Sequence, residues 1–180
     1  MQKLDEGLVY SPSDLSDFLA CTNAVHFQRA VIEGKLPAPE TRRASTELLA
    51  QKGDEHEQAY LAKLKASGLR VVTIQKPADG AGLRSRLHEA AQATLAAMRN
   101  GADVVYQATF FADGWQGRAD FLVRVERPSN LGTWSYYVAD TKLARRTKPY
   151  FLLQLCFYTE QVARLQGVEP VDMEVVLGTG

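Results

Sequence analysis

Cysteine is scarce in this sequence. The 180 residues include only Cys21 and Cys156, which are too few for a disulfide framework and favour a reducing compartment. Long apolar runs are missing too, since none approaches the roughly 18 residues that a membrane-spanning helix needs. The first residues, MQKLDEGLVYSPSD, lack the apolar core of a secretory signal peptide. Together these absences favour a cytoplasmic protein that does not bind a membrane.

Net charge is absent as well, because 21 basic residues balance 21 acidic ones. This balance does not favour nucleic acid as a partner, since nucleic-acid-binding domains usually carry a basic surface. The charges are unevenly distributed, however: seven basic and three acidic residues between positions 118 and 148 give that segment a local charge of +4. Its basic residues are Arg118, Arg124, Arg127, Lys142, Arg145, Arg146 and Lys148.

The sequence does have strong apolar patterning, with 46% hydrophobic residues and no internal repeat or low-complexity segment. This composition predicts one globular domain with a sizeable core. Helices are predicted from SPSDL, with Ser13 as the N-cap, and over about 45–67, 82–99 and 148–166. Strands are predicted over 69–74, 103–111, 115–125, 135–143 and 173–177, with DG at 113–114 as a hairpin turn. The order predicts an α/β fold in which helices flank a central mixed sheet.

The sequence leads to one prediction for the N-terminal segment and another for the C-terminal end. Residues 1–44 are expected to form an N-terminal helical segment, with Leu15, Phe18 and Leu19 as its apolar stripe, and residues 45–180 to form the core. The chain ends in LGTG, directly after the last predicted strand. Because GTG has the composition of a hairpin turn, we expect a return strand to follow and this chain to be a fragment of a longer protein.

The stretch VADTKLARR, residues 138–146, places charged residues at the end of an apolar strand. Asp140 and Lys142 are two positions apart and therefore point to the same face. The preceding strand contains Asp120 in GRADFLV, and a hairpin between the strands lays it close to Asp140. Neighbouring carboxylates repel unless a cation lies between them, and oxygen ligands suit Mg²⁺ or Mn²⁺. By itself, though, Asp-x-Lys is more often a surface ion pair.

Two helices carry further candidate residues. Gln154 and Tyr158 are four positions apart and share one helical face. His56 lies in KGDEHE, three positions after Gly53, on the apolar stripe of its helix. Considered alone, His56 is more often an ordinary half-buried histidine than a ligand, and Gln-x-x-x-Tyr is a weak pattern. Their order along the chain relative to Asp120 and Asp140 makes the set specific.

This set resembles the RecB-like nucleases of the PD-(D/E)XK superfamily. The matching patterns are Gly53-x-x-His56, Gly117-x-x-Asp120, Asp140-x-Lys142 and Gln154-x-x-x-Tyr158, and the resemblance covers roughly residues 8–178. More narrowly, SPSDLSDFLAC, GRADFLV, DTKLARR and LLQLCFYTEQ resemble the nuclease domain that precedes a superfamily I helicase in longer bacterial chains. The resemblance implies a restriction-endonuclease-like core and a metal-dependent, exonuclease-like deoxyribonuclease. It also implies a role in DNA repair or recombination with a helicase, on single-stranded ends.

The resemblance also implies the roles of the residues that form the site. The side chains of His56, Asp120 and Asp140 would bind Mg²⁺ or Mn²⁺, together with the backbone carbonyl of Thr141. Lys142 would assist the attacking water. The acid before Lys142 is Asp where many relatives have Glu, and this shorter side chain could alter the metal preference.

Substrate contacts are expected around this metal site. The resemblance implies that Gln154 and Tyr158 line the site and contact the DNA strand. The basic residues near it are expected to contact phosphates without reading sequence; they are Arg118, Arg145, Arg146 and Lys148. Bases could stack on Tyr158, Tyr136 or Trp134, although aromatic residues in strands more often belong to the core.

Cys21 follows the first predicted helix, in DFLAC. Many relatives use a cysteine at this place, with three more near the C-terminus, to bind a 4Fe–4S cluster, and four thiolates are the usual requirement. Here the only other cysteine is Cys156, which is expected to lie in the core. Two alternatives therefore stay open: the missing ligands lie beyond Gly180, or Cys21 is only a small buried residue.

Two other functions remain as alternatives to a nuclease. One is a non-catalytic DNA-binding module that guides a strand for an attached helicase. The other is a cytosolic α/β domain in which Asp140 and Lys142 form an ordinary surface salt bridge, worth about 0–1 kcal/mol.

Overall fold

The computed structural model of the chain describes residues 1–4, 7–39, 44–80 and 82–178. These residues form an α/β fold in which helices flank a mixed five-stranded sheet. The elements are β1 (Gln2–Leu4), β2 (Gly7–Val9), α1 (Pro12–Ala20), α2 (Thr22–Ile32), α3 (Ala44–Ala66), β3 (Val71–Thr73), α4 (Leu83–Arg99), β4 (Val104–Ala112), β5 (Trp115–Val125), β6 (Ser135–Lys142), α5 (Pro149–Gln166) and β7 (Met173–Leu177). Within the described ranges, no helix combines the length and apolar character needed to cross a membrane.

The predicted order of elements is confirmed from α3 onward and is incomplete before it. The bounds of β5 and β7 agree with the prediction, and those of α3, α4 and α5 differ by about one residue. The hairpin β1–β2 and helix α2 are additional elements. Strands of three residues are too short to show alternation, and α2 has no buried residue, so neither gives a clear apolar period.

Helix α1 differs from its prediction in two ways. Its N-cap is Ser11 rather than Ser13, because the Asp14 carboxylate accepts hydrogen bonds from the Ser11 backbone N–H at 2.7 Å and from its hydroxyl at 2.8 Å. The predicted apolar stripe is also wrong at Phe18 and Leu19, which are 49% and 66% exposed. The buried residues of α1 lie in its first turn instead.

The central sheet has the strand order β3-β4-β5-β6-β7. Strand β5 pairs antiparallel with β4 and β6, whereas β3–β4 and β6–β7 are parallel. The β4–β5 turn is formed by Asp113 and Gly114, both with positive φ, as the DG dipeptide predicts. Helix α5 connects β6 to the parallel strand β7, so β6 has a neighbouring strand on each side.

Two helical layers cover the sheet. Helix α3 covers one face through Leu61, which packs with Phe121 and Ala139. Helices α4 and α5 cover the other face, where Met98 and Leu155 belong to the larger of the two clusters. The core of the domain is therefore divided by the sheet into an α3 side and an α4/α5 side.

In β4 and β5, the regular alternation of side chains between the two faces of the sheet is interrupted at one position. Alternation places even-numbered β4 residues on one face, yet Tyr106 packs on the α3 side and Ala108 on the α4/α5 side. The change occurs at Gln107, which has a φ of 59°. In β5, Phe121 faces α3 and Ala119 faces α4/α5, and these two residues pair with Tyr106 and Ala108. Asp120 lies between them, opposite Gln107, at the break in the alternation.

Candidate active site

The structure brings Asp120 and Asp140 together on neighbouring strands. In the β5–β6 register Phe121 lies opposite Ala139, which places the two aspartates beside each other at the next position. Asp120 Oδ2 accepts hydrogen bonds from the Thr141 backbone N–H and hydroxyl, both at 2.8 Å. Asp140 is completely buried, with 0% exposure. The proximity predicted from the hairpin is confirmed.

Burial makes this carboxylate pair resist ionisation. Burial and the charge on Asp140 raise the pKa of Asp120 from its ordinary value of 3.8 to about 6, although the bonds from Thr141 oppose the shift. Burial also raises the pKa of Asp140, and the nearby Lys142 opposes that shift. The two carboxyl groups titrate as a pair. Near pH 6 they therefore retain a proton that isolated aspartates would have lost.

Lys142 accompanies Asp140 as their spacing predicts. Its Nζ lies 2.5 Å from Asp140 Oδ2 and 5.7 Å from the centre of the Phe151 ring. The ammonium forms a close ion pair with Asp140, and no backbone N–H or hydroxyl of the described residues donates to either oxygen of this carboxylate. A buried carboxylate usually has its oxygens satisfied, so Asp140 has acceptor capacity left for a cation or water.

These residues meet the minimum requirement for a hard divalent cation. Within the described part of the chain, no three His, Cys, Asp or Glu side chains lie close enough together to form a complete metal cluster. Mg²⁺ is often held by only one or two carboxylates, with water and substrate phosphates as the other ligands. The neighbouring carboxylates of Asp120 and Asp140 fit a cation bound in this way.

His56 lies on α3 as predicted, and its ring is turned toward β7. Its Nε2 lies 3.2 Å from the carbonyl oxygen of Val176, and the structure records no contact between the described His56 ring and either aspartate. The acidic side chain of α3 that interacts electrostatically with the aspartates is that of Glu57, which accepts hydrogen bonds from Tyr106 and Gln107. Burial and the charge on Asp120 both raise the pKa of Glu57, and the charge on Glu57 in turn acts on Asp140.

Glu57 is not among the site residues predicted above, although the sequence carries a signal for it. Glu57 follows Gly53 by four residues and precedes Tyr60 by three, so it shares the stripe that led to His56. Helical spacing alone does not decide which of two adjacent residues faces the sheet.

Gly117 and Tyr158 are brought into direct contact. A Cβ atom at Gly117 would lie 2.6 Å from Cε1 of Tyr158, so this position of β5 requires the absence of a side chain. The Tyr158 hydroxyl accepts a hydrogen bond from the Arg118 backbone N–H at 3.2 Å, and Gln154 lies beside it. Burial raises the pKa of Tyr158, which keeps the hydroxyl protonated.

The expectation that bases stack on the aromatic residues is wrong for two of the three. Tyr158 is only 3% exposed and Tyr136 is fully buried, so neither ring face is open to a base. The Tyr136 hydroxyl instead donates to the Ala102 carbonyl at 2.6 Å. Trp134 donates its indole N–H to the Met98 carbonyl at 3.0 Å, and the Arg124 guanidinium lies over its ring.

Arg118 is the cation nearest to the carboxylate pair along β5. It is half-buried, and its Nε is buried without a hydrogen-bond partner among the described residues. Its side chain borders two cavities, one of about 520 Å³ shared with Glu57 and one of about 340 Å³ shared with Tyr158. Arg145 is exposed in the segment that follows β6, as are Arg146 and Lys148. These cations are accessible to a phosphate backbone.

Both cysteines are exposed free thiols. The prediction that Cys156 lies in the core is therefore wrong, because this position of α5 points away from the sheet. The interpretation of Cys21 as a small buried residue is also wrong. Cys21 ends α1 and caps α2, where its thiol is accessible.

The chain matches no protein-family model, no curated protein and no solved structure. Assignment of the site therefore depends on its own residues: two adjacent carboxylates, a lysine in contact with one of them, and Arg118, whose Nε has no hydrogen-bond partner among the described residues.

Proposed function

We propose that this protein is a Mg²⁺- or Mn²⁺-dependent deoxyribonuclease with a restriction-endonuclease-like PD-(D/E)XK core. The observation that carries the proposal is the fully buried Asp140, which has Asp120 beside it and the Lys142 ammonium 2.5 Å from its Oδ2 but accepts no hydrogen bond from a backbone N–H or hydroxyl of the described residues. A buried ion pair with a purely structural role usually has such additional donors, whereas a cation-binding carboxylate keeps room for the ion. The order of the four sequence patterns supports the same assignment.

Asp120, Asp140 and the Thr141 carbonyl would hold the metal. When bound, such a cation polarises a phosphoryl oxygen and lowers the pKa of a coordinated water. Thr141 fixes the orientation of Asp120 through two hydrogen bonds to its Oδ2, so Oδ1 is the oxygen left for a cation. Lys142 would steady the attacking water or the negative charge that develops on the phosphate. Arg118 and Arg145 would bind phosphates on either side and position the strand.

Other parts of the proposal are supported by the sequence resemblance. Single-stranded DNA ends are the proposed substrate, and a helicase is the proposed partner in repair or recombination in the bacterial cytoplasm. A 4Fe–4S cluster that includes Cys21 would require thiolates beyond Gly180. The exposed position of Cys21 is compatible with such a cluster.

The decisive experiment is a cleavage assay with the purified 180-residue chain, Mn²⁺ and end-labelled single-stranded DNA. Asp140→Ala and Lys142→Ala should abolish cleavage while the proteins still fold. Glu169→Ala, which removes an exposed carboxylate far from the pair, is the matched control and should cleave like the unmodified protein. Undiminished cleavage by Asp140→Ala would contradict the proposal.

A non-catalytic DNA-binding module is the second candidate. It is favoured by the close contact of Lys142 with Asp140, which already balances one of the two charges. Calorimetric titration with Mn²⁺ separates the candidates. A pure binding module has no Mn²⁺ site that depends on Asp120 and Asp140.

A further inference from the structure

We infer that Tyr150 is the residue on which a base of the single-stranded substrate stacks, beside a row of cations that bind the phosphates of the strand. This inference rests on the proposed function, because it names the contact that holds the DNA next to the carboxylate pair. It gives this role to a residue outside the three aromatic positions predicted above, of which Tyr136 and Tyr158 are buried.

The ring of Tyr150 is supported from the inside and open on the outside. Among the described residues, three aromatic side chains are largely exposed: Phe18 on α1, Phe27 on α2 and Tyr150 in the first turn of α5. Tyr150 is 46% exposed, whereas its neighbour Phe151 is 5% exposed. The two rings meet edge to face, with their centres 4.6 Å apart. A base therefore has access to Tyr150 without any rearrangement of the core.

Phe151 also connects Tyr150 to the carboxylate pair. The Lys142 ammonium lies 5.7 Å from the centre of the Phe151 ring and 2.5 Å from Asp140 Oδ2. A chain of short contacts thus leads from the exposed ring of Tyr150 to the buried carboxylate of Asp140. A strand with one phosphate at the carboxylates has a nearby base within reach of Tyr150.

The charge around Tyr150 suits a phosphate backbone. Four basic and no acidic residues between positions 141 and 159 give this segment a charge of +4. Lys142 is engaged by Asp140, but the other three cations are exposed between β6 and α5. They are Arg145, Arg146 and Lys148. Proteins that bind single strands combine such a row of cations, which follows the phosphates, with aromatic rings on which the bases stack.

Lys148 and Tyr150 form one unit. The Lys148 ammonium lies 5.7 Å from the centre of the Tyr150 ring, within the range of a cation–π contact. The Phe151 backbone N–H donates to the Lys148 carbonyl at 3.0 Å, and Pro149 begins α5 between the cation and the ring. This turn keeps the ammonium and the ring side by side. A tyrosine held in this way loses little conformational entropy when a base stacks on it.

The test is a fluorescence anisotropy titration of a labelled oligo-thymidine strand with the full 180-residue chain in EDTA. Tyr150→Ala should raise the Kd roughly 5–150-fold, the range that corresponds to the loss of one base stack. Tyr150→Phe keeps the ring and should bind like the unmodified protein. Phe27→Ala removes a comparably exposed ring from α2 and is the matched control, which should leave the Kd unchanged.

A strand of the same length built from abasic residues separates stacking from a structural role of the ring. It keeps the phosphates but offers no base, so Tyr150→Ala and the unmodified protein should bind it with equal affinity. Salt dependence gives a second separation. Tyr150→Ala should leave the slope of log affinity against log salt concentration unchanged, whereas Arg146→Ala should reduce its magnitude by about 0.7, the value for one phosphate contact on a single strand.

Two outcomes would overturn the inference. One is that Tyr150→Ala binds the thymidine strand like the unmodified protein, as it would if the ring served a partner protein instead of DNA. The other is that Tyr150→Ala weakens the binding of both strands equally. Either outcome leaves the proposed function intact if the unmodified chain cleaves DNA with Mn²⁺ and Asp140→Ala does not. If the unmodified chain neither binds nor cleaves single-stranded DNA, the proposed function and this inference fail together.

Discussion

Two adjacent cross-strand pairs of β5 and β6 differ sharply in how their burial affects the stability of the fold. Phe121 and Ala139 face each other in the register and lie in the core beneath α3, where burial of apolar surface stabilises the fold. One step along the same strands, Asp140 is fully buried and Asp120 is half-buried, and there burial opposes ionisation. The same backbone pairing thus supports the core at one position and carries an electrostatic cost at the next. A fold tolerates such a cost when the rest of its core is well packed, which makes the two positions separable by mutation.

The largest effect is expected at the apolar pair. Phe121 is fully buried and contacts the rings of Tyr60 and Tyr106 at centroid distances of 5.0 and 5.2 Å. Phe121→Ala should lower the free energy of unfolding by about 3–5 kcal/mol, because it leaves a cavity that the sheet cannot close. Urea unfolding followed by circular dichroism measures the loss, and Leu152→Ala at an exposed position of α5 is the control. A loss no larger than that of the control would remove the contrast between the two positions.

At the carboxylate pair, by contrast, a substitution is expected to increase the free energy of unfolding of the metal-free protein. The folded state holds a proton on Asp120 up to about pH 6, whereas the unfolded chain loses it near 3.8. The stability of the metal-free protein therefore falls as the pH rises through this window, and Asp120→Asn escapes the fall. Above pH 7 this variant should be more stable than the unmodified protein by roughly 2–3 kcal/mol, at about 1.4 kcal/mol per pKa unit.

Unfolding in EDTA at pH 4 and pH 8 checks this result. The difference between the two proteins should nearly vanish at pH 4, where both carry a neutral side chain at position 120. Added Mn²⁺ should stabilise the unmodified protein at pH 8 but not Asp120→Asn, because only a folded chain with both carboxylates binds the ion. If Asp120→Asn is less stable at pH 8 in EDTA, the pair is not a source of electrostatic cost.

A smaller loss of stability is expected from a substitution at the point where β5 contacts Tyr158. Gly117→Ala places a methyl group 2.6 Å from the buried Tyr158 ring and should destabilise the protein by about 1–3 kcal/mol. Gly53→Ala is a matched control, since a Cβ there meets no atom within 4 Å and a helical glycine is unfavourable. This control should raise the melting temperature. If both variants behave alike, the close approach of Tyr158 to β5 is not needed for packing.

The smallest effect is expected at the far edge of the sheet. His56→Ala removes one hydrogen bond to the Val176 carbonyl and should cost about 0.5–1.5 kcal/mol. Amide hydrogen exchange should increase in β7 more than in β5, because β7 pairs with β6 alone in the described part of the chain. Equal increases in both strands would mean that His56 supports the whole sheet and not its edge.

The parts of this site that follow short-range rules were predictable from sequence. Strand alternation and the DG turn placed Asp120 beside Asp140, and helical spacing placed Gln154 beside Tyr158. Long-range packing was not predictable in the same way. The exposure of Cys156 depends on how α5 is rotated against the sheet, which the apolar run LLQLCFY does not specify.

Glu57 illustrates why the sequence predicted Asp120 and Asp140 but not every acidic residue near them. Glu57 accepts a hydrogen bond from Gln107, which has a positive φ, and a glutamine gives no sequence signal for a left-handed backbone. Regular alternation in β4 and β5 was the natural expectation. The departure from it, at Gln107 and Asp120, occurs at the position where the candidate site is built.

The change of sides in β4 and β5 has a consequence for the cooperativity of the domain. Because one half of this hairpin packs beneath α3 and the other half beneath α4 and α5, neither helical layer can detach without distorting the segment between them. Asp120 and Gln107 occupy that segment. The carboxylates are therefore aligned only while both halves of the core are closed, and a chain that has begun to unfold from either side no longer carries an assembled site.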